Sequence, residues 1–210
     1  MNKSPLEIIK EKRILPLLKF NNLKKSENLV DILVQNDLPI CVVSLRNENA
    51  FKLIKILAKR KDILLGVGTV INKQQVVEVI ELGAKFIVTP GFDEEIVNYC
   101  IQKNITIFPG VSTPTEIQKA FNYGIKVMKL FPIEALGGLP YLKAVSAAFN
   151  KVKFIPTGGI NEINLASYID FPSTFAIGGS WMFNSKLYGA NQINDINFKC
   201  FNLKKVLENR

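Results

Sequence analysis

Short β-like runs alternate with helix-like segments along almost all of this 210-residue chain, and that alternation restricts the fold more than any other feature. Eight runs read as strands: Ile14–Leu18, Ile40–Ser44, Ile63–Val67, Phe86–Val88, Thr106–Phe108, Lys126–Lys129, Lys153–Ile155 and Thr174–Ile177. Their ends recur roughly every 20–26 residues, the length of a strand plus a crossover helix. The segments between them carry apolar residues at helical spacing, such as Val76, Val79 and Ile80, or Ile96, Val97 and Cys100. Asn72, Asp93, Thr113 and Asn161 stand where N-caps are wanted, and Pro114 suits a first helical position. Gly83 and Gly124 suit C-caps. Strict alternation of strand and helix implies a parallel sheet. Eight such units predict one α/β domain over residues 1–210: a closed (βα)8 TIM barrel with an additional N-terminal helix and a C-terminal helix. An open doubly wound sheet also alternates. It usually carries a GxGxxG fingerprint after its first strand, and PLLKFNNLKK has none.

Composition excludes several classes of function. Hydrophobic residues at 48% and charged residues at 21% are ordinary for a globular chain, which removes disorder. No apolar run approaches the roughly 18–20 residues of a membrane span, and the N-terminal MNKSPLEIIKEKR is not a signal peptide. A soluble cytoplasmic protein, with no membrane partner, is the expectation. The chain has no histidine, so every His-dependent mechanism is excluded, including His-ligated zinc. Three widely spaced cysteines, Cys41, Cys100 and Cys200, form no CxxC pair and argue against disulfides and metal. The net charge of +9 invites an anionic partner, yet the lysines are scattered at helix-surface spacing, as in Lys52, Lys55 and Lys59. Nucleic acid is not expected, because no clustered basic stripe or aromatic binding motif accompanies the charge.

In a barrel, function collects where the strands end. Here Ser44-Leu45-Arg46 follows the second run, Gly68-Thr69 the third, Thr89-Pro90-Gly91 the fourth and Pro109-Gly110 the fifth. Thr157-Gly158-Gly159 follows the seventh, and Gly178-Gly179-Ser180 the eighth. Paired glycine turns at these last two positions match a phosphate site built from backbone N–H groups, although turns need glycine anyway. Lys129 stands inside the apolar sixth run. Two readings are open for it: a desolvated lysine that attacks carbonyls, or one that reaches solvent or pairs with Glu134. Arg46 is either a bidentate carboxylate clamp, with Thr69 beside it, or a surface ion-pair residue.

Taken together, SLR at 44–46, GVGTV at 66–70, VTPG at 88–91, FPGVSTPTE at 108–116, KLFPIE at 129–134, PTGGI at 156–160 and IGGSW at 177–181 resemble the 2-keto-3-deoxy-6-phosphogluconate (KDPG) aldolase family. Its members are class I aldolases, many of which also cleave 4-hydroxy-2-oxoglutarate (KHG). The resemblance spans about Ile14 to Trp181 and rests on the order and spacing of all these segments. It implies that Lys129 forms a Schiff base with the keto carbon of pyruvate or of a phosphorylated 2-keto acid. It implies that Arg46 and Thr69 hold the carboxylate, that Pro90 and Phe131 line the pocket, and that Thr157 contacts the substrate. Gly158, Gly159, Gly179 and Ser180 would cradle the phosphate, and Lys19 matches a position where some relatives place a basic contact. No cofactor or metal is implied, since the imine serves as electron sink. A homotrimer is implied as the assembly.

One departure stands out. The family usually has Glu four residues before the arginine, in a pattern like LEVTLR, and here that position is Val42. In relatives that glutamate shuttles protons, a contribution typically worth ~10²–10⁴-fold. Three accounts are open: a water held by Ser44 or Thr157, a group of the substrate such as its phosphate, or a pocket retained while the aldol reaction is lost or changed.

Overall fold

The computed structural model describes residues 3–18, 22–46, 48–183 and 190–208. A first helix, α1 (Pro5–Lys12), leads into β1 (Ile14–Leu18), after which strand and helix alternate: α2 (Leu23–Gln35), β2 (Ile40–Ser44), α3 (Ala50–Leu57), β3 (Leu64–Gly68), α4 (Lys73–Glu81), β4 (Phe86–Val88) and α5 (Glu94–Gln102). Then come β5 (Thr106–Phe108), β6 (Gly110–Val111), α6 (Pro114–Asn122), β7 (Val127–Leu130), α7 (Gly138–Ala148), β8 (Lys153–Pro156), α8 (Leu165–Ile169), β9 (Ile177–Gly179) and α9 (Ala190–Glu208).

Among the described residues all the strand pairs are parallel and fall into two ladders, β5-β4-β3-β2-β1-β9 and β6-β7-β8. The ladders meet at two places. Proline 109 separates β5 from β6, where the lost N–H interrupts pairing, yet its carbonyl accepts the Lys129 N–H at 2.9 Å. Isolated bridges, Phe154 with Thr174 and Thr157 with Gly178, connect β8 to the chain around β9.

Alternation along the strands divides the interior. In β2, Ile40 and Val42 join an inner cluster with Leu15, Leu64, Phe86 and Phe108, whereas Cys41 and Val43 pack outward under the helices. Phe86 and Phe108 meet edge to face with ring centroids 5.9 Å apart. Ile9 of α1 is fully buried in the same inner cluster, so the N-terminal helix covers the end of the sheet opposite the strand C-termini. A capping box between Ser4 and Glu7 fixes where that helix starts.

Local chemistry agrees at most helix starts. Asn72, Asp93 and Thr113 accept the N–H groups of Gln75, Ile96 and Glu116, and Pro114 occupies the first turn of α6. Gly83 and Gly124 take left-handed backbone, at φ +107° and +80°. Asn161 differs. Its side chain accepts from Ile163 N–H, and α8 begins only at Leu165. The last strand also differs from the sequence expectation of Thr174–Ile177: Thr174 makes one bridge, and the ladder runs from Ile177 through Gly179 against Ile14, Leu15 and Pro16. Glycine is a poor strand former alone, but pairing with β1 overrides that preference.

Candidate active site

The C-terminal ends of the strands enclose a cavity of about 210 Å³. Seven of the residues to which the resemblance gives a role line it: Arg46, Thr69, Pro90, Lys129, Phe131, Thr157 and Gly179. They come from positions up to 133 residues apart and meet because parallel strands all end on one side. Gly158, Gly159 and Ser180 adjoin the cavity in the chain but do not line it. Lys19 lies outside the described residues. The inner wall is apolar, made by Leu15, Leu17, Val42, Val88 and Ile155. Two cations and no carboxylate are therefore found among the described lining residues.

Lys129 reaches into this cavity from β7. Its Nζ lies 3.4 Å from the Thr89 carbonyl oxygen and 4.3 Å from the centre of the Phe131 ring. Burial, and secondarily the Arg46 charge, push its pKa down to about 8. The alternative partner, Glu134, is engaged elsewhere, by the Tyr168 hydroxyl. Tyr168 is 1% exposed, and burial together with the Glu134 carboxylate holds its phenol well above the usual range. The three cysteines are buried and free, with thiols pushed up to about 12 by burial, so none supplies a thiolate near neutral pH.

Arg46 and Thr69 are tied together through Ser44. The Arg46 Nε donates to Ser44 Oγ at 3.2 Å, and Ser44 Oγ shares a hydrogen bond of 3.0 Å with Thr69 Oγ1. Among the described residues no carboxylate pairs with Arg46, so the surface ion-pair reading finds no partner. Thr69 has φ +61°, an uncommon conformation for a β-branched residue, of the kind that concentrates where a site fixes a side chain.

The turn after β8 is anchored from below. Gly158 and Gly159 have φ +98° and +88°. The Gly158 carbonyl accepts Glu134 N–H, and the Gly159 carbonyl accepts both Asn161 Nδ2 and Asn164 Nδ2 at 3.3 Å. Any Cβ at Gly159 would lie 2.5 Å from Glu134 Cγ. Ser180, after β9, precedes a single 3-10 turn at Trp181–Phe183. Sequence reasoning gave no role to Tyr168 or Thr89. Tyr168 lies 34 residues from Glu134 and carries no local signal. Thr89 sits within the VTPG segment, of which the resemblance implies a role for Pro90 alone.

A family model described as KDPG and KHG aldolase matches residues 6–199. The 2-dehydro-3-deoxy-phosphogluconate aldolase of Haemophilus influenzae is 37% identical over 192 residues, covering 91% of each chain. The KDPG aldolase of Legionella pneumophila, solved with pyruvate captured at low pH as a covalent carbinolamine intermediate, superposes with a TM-score of 0.89 at 31% identity, over 96% of this chain and 98% of that one. The aldolase of Zymomonas mobilis solved with 3-phosphoglycerate gives a TM-score of 0.88 at 26% identity, over 95% of each chain.

Proposed function

The chain belongs to the KDPG and KHG aldolase family, and from that premise we propose that it cleaves a phosphorylated 2-keto acid through an imine on Lys129. The observation that carries this reading is a single desolvated lysine, with its pKa lowered to about 8, opening onto a cavity beside Arg46 and Thr69. The preferred substrate is KDPG, cleaved to pyruvate and glyceraldehyde 3-phosphate. KHG, cleaved to pyruvate and glyoxylate, is the second. The carbinolamine captured in the Legionella relative supports the covalent route.

The neutral Lys129 amine adds to C2 of the substrate. The new C–N bond forms as the carbonyl electron pair moves to oxygen, and a proton passes from nitrogen to that oxygen. A second proton, taken from solvent, lets the C2 hydroxyl leave as water and gives the cationic imine. The C4 hydroxyl then passes its proton to a water at Ser44 or Thr157 or to the substrate phosphate, the C3–C4 bond breaks, its electrons flow into the imine, and the aldehyde leaves. The remaining enamine takes a proton at C3, and water returns pyruvate and the free amine. Arg46 holds the substrate carboxylate, and Ser44, which accepts from Arg46, is placed to donate to Thr69 and turn the Thr69 proton toward it. Pro90 and Phe131 keep water from the amine, and Thr157 meets the substrate hydroxyls. The amides of Gly158, Gly159, Gly179 and Ser180 take the phosphate, whose remote binding energy positions the reacting end. The 3-phosphoglycerate bound to the Zymomonas relative is in keeping with such a site.

The test is borohydride trapping with pyruvate, read by intact mass and peptide mapping. An adduct on Lys129 is expected, with a trapping rate that rises with pH through about 8, because only the neutral amine attacks. At pH 7 about a tenth of such an amine is neutral, several hundred times the fraction for an ordinary lysine. A folded protein that gives no adduct, beside a working control aldolase, sinks the proposal. Gly159→Ala addresses the phosphate end. The new Cβ meets Glu134 and the left-handed backbone resists a side chain. KM for the phosphorylated substrate should rise roughly tenfold or more, with pyruvate trapping retained.

A second reading is favoured by Val42: a pocket that forms the imine but turns over slowly or not at all. Adduct formation without aldehyde release identifies it. The same proposal includes closure of the two ladders into one (βα)8 barrel as a single domain, assembly as a homotrimer, and a cytoplasmic setting without nucleic acid. Among the described residues no helix is long and apolar enough to cross a membrane.

A further inference from the structure

The Lys129 amine donates a hydrogen bond to a residue with no assigned part in the site. Thr89 follows β4 and is 2% exposed. Its main-chain oxygen is the acceptor 3.4 Å from Lys129 Nζ. Its hydroxyl donates to the Gly91 carbonyl at 2.6 Å and accepts the Gly110 N–H at 3.2 Å. One side chain therefore closes the Thr89–Pro90–Gly91 turn and also fastens it to β6. Gly110 is the ladder partner of Lys129, and the neighbouring Pro109 carbonyl accepts the Lys129 N–H. The turn that offers the carbonyl and the strand that carries the lysine are thus tied to the same two residues. Glycine is required at 110, because any Cβ there would fall on the Pro90 carbonyl.

We propose that Thr89 is a positioning residue for the Lys129 amine: its buried hydroxyl fixes the turn so that its own carbonyl takes one amine N–H and leaves the nitrogen lone pair facing the cavity. The inference rests on the imine chemistry proposed above. A neutral primary amine has two N–H bonds and one lone pair. The Thr89 carbonyl takes one N–H, the Phe131 face borders the nitrogen on another side, and the open direction is the cavity. A lysine on a flexible four-carbon stem otherwise spends most of its time misdirected. As the C–N bond forms, positive charge grows on nitrogen, and the carbonyl dipole is already aimed at it.

The experiment compares wild type, Thr89→Val and Thr89→Ser in the full chain, measuring the rate of pyruvate trapping by borohydride against pyruvate concentration. Valine keeps the shape and removes the hydroxyl. Its limiting rate should fall about tenfold to a hundredfold, the scale of a small misplacement of a reacting group. The half-saturating pyruvate concentration should stay put, since Arg46 and Thr69 are untouched. Serine should restore most of the rate. An unchanged limiting rate in Thr89→Val overturns the inference, and so does a parallel loss of half-saturation, which marks general damage. Should Thr89→Val fail to give a cooperative thermal melt, Thr89→Ala, which leaves room for a water between Gly91 and Gly110, carries the same comparison. Wild type that traps no pyruvate fails the imine reading itself, an outcome distinct from all of these.

Discussion

Replacing Lys129 with methionine is expected to abolish pyruvate trapping and lower aldol cleavage by at least about 10⁴-fold, the scale on which loss of a nucleophile acts. The same change is expected to stabilise the fold. Burial lowers the lysine pKa from 10.5 to about 8, so holding the ammonium in the cavity costs folding free energy. That cost is complete below pH 8, fades as the pH rises and is gone above about 10.5, where the group is neutral in both folded and unfolded chains. Because Lys129 keeps some exposure, the gain is about 1–3 kcal/mol at pH 7, or several degrees in Tm. Thermal melts of both proteins at pH 7 and pH 10 measure it. A methionine variant less stable than wild type at pH 7, or a difference that grows with pH, contradicts a strained amine.

Val42→Glu is expected to raise cleavage by about 10²–10⁴-fold over wild type, provided wild type already forms the imine. Val42 is 3% exposed on β2 and lines the cavity with Lys129 and Arg46. A carboxylate there would enter an apolar wall but face two cations, which offset its desolvation. It would accept the C4 hydroxyl proton and return one to the enamine. It would also stabilise the Lys129 ammonium, so the midpoint of trapping against pH should move upward from about 8. An upward shift without faster cleavage means that proton transfer is not what limits this protein. Where wild type itself cleaves the substrate, a water at Ser44 or Thr157, or the substrate phosphate, then already performs it.

Much of this was legible locally. The runs Ile14–Leu18, Ile40–Ser44, Phe86–Val88 and Thr106–Phe108 coincide with the observed strands, because short apolar stretches bounded by turn residues have few other uses. The N-caps at Asn72, Asp93 and Thr113 follow from side chains that bond their own neighbours. Glycines 178 and 179 look like a turn in sequence, and they enter the ladder only because β1 lies alongside. Asn161 looks like a helix cap, yet the chain makes another turn before α8, which no local preference announces.

The candidate site divides in the same way. Arg46, Thr69, Pro90 and Thr157 could be picked out at strand ends and Lys129 within a strand, because alternation and parallel pairing send all strand C-termini to one side, whereas Phe131 rested on the family resemblance alone. The sequence by itself therefore determined the repeating strand–helix units, the side of the sheet where chemistry collects and the absence of any histidine mechanism. The tertiary structure alone decided that Lys129 is desolvated beside Arg46, that Glu134 bonds Tyr168 and leaves the lysine, and that Thr89 offers its carbonyl to the amine. Periodicity, capping and turn chemistry act between residues a few positions apart. A lowered pKa or an aimed lone pair is set by groups 34, 40 or 83 positions away, whose distance in space exists only once the chain has folded.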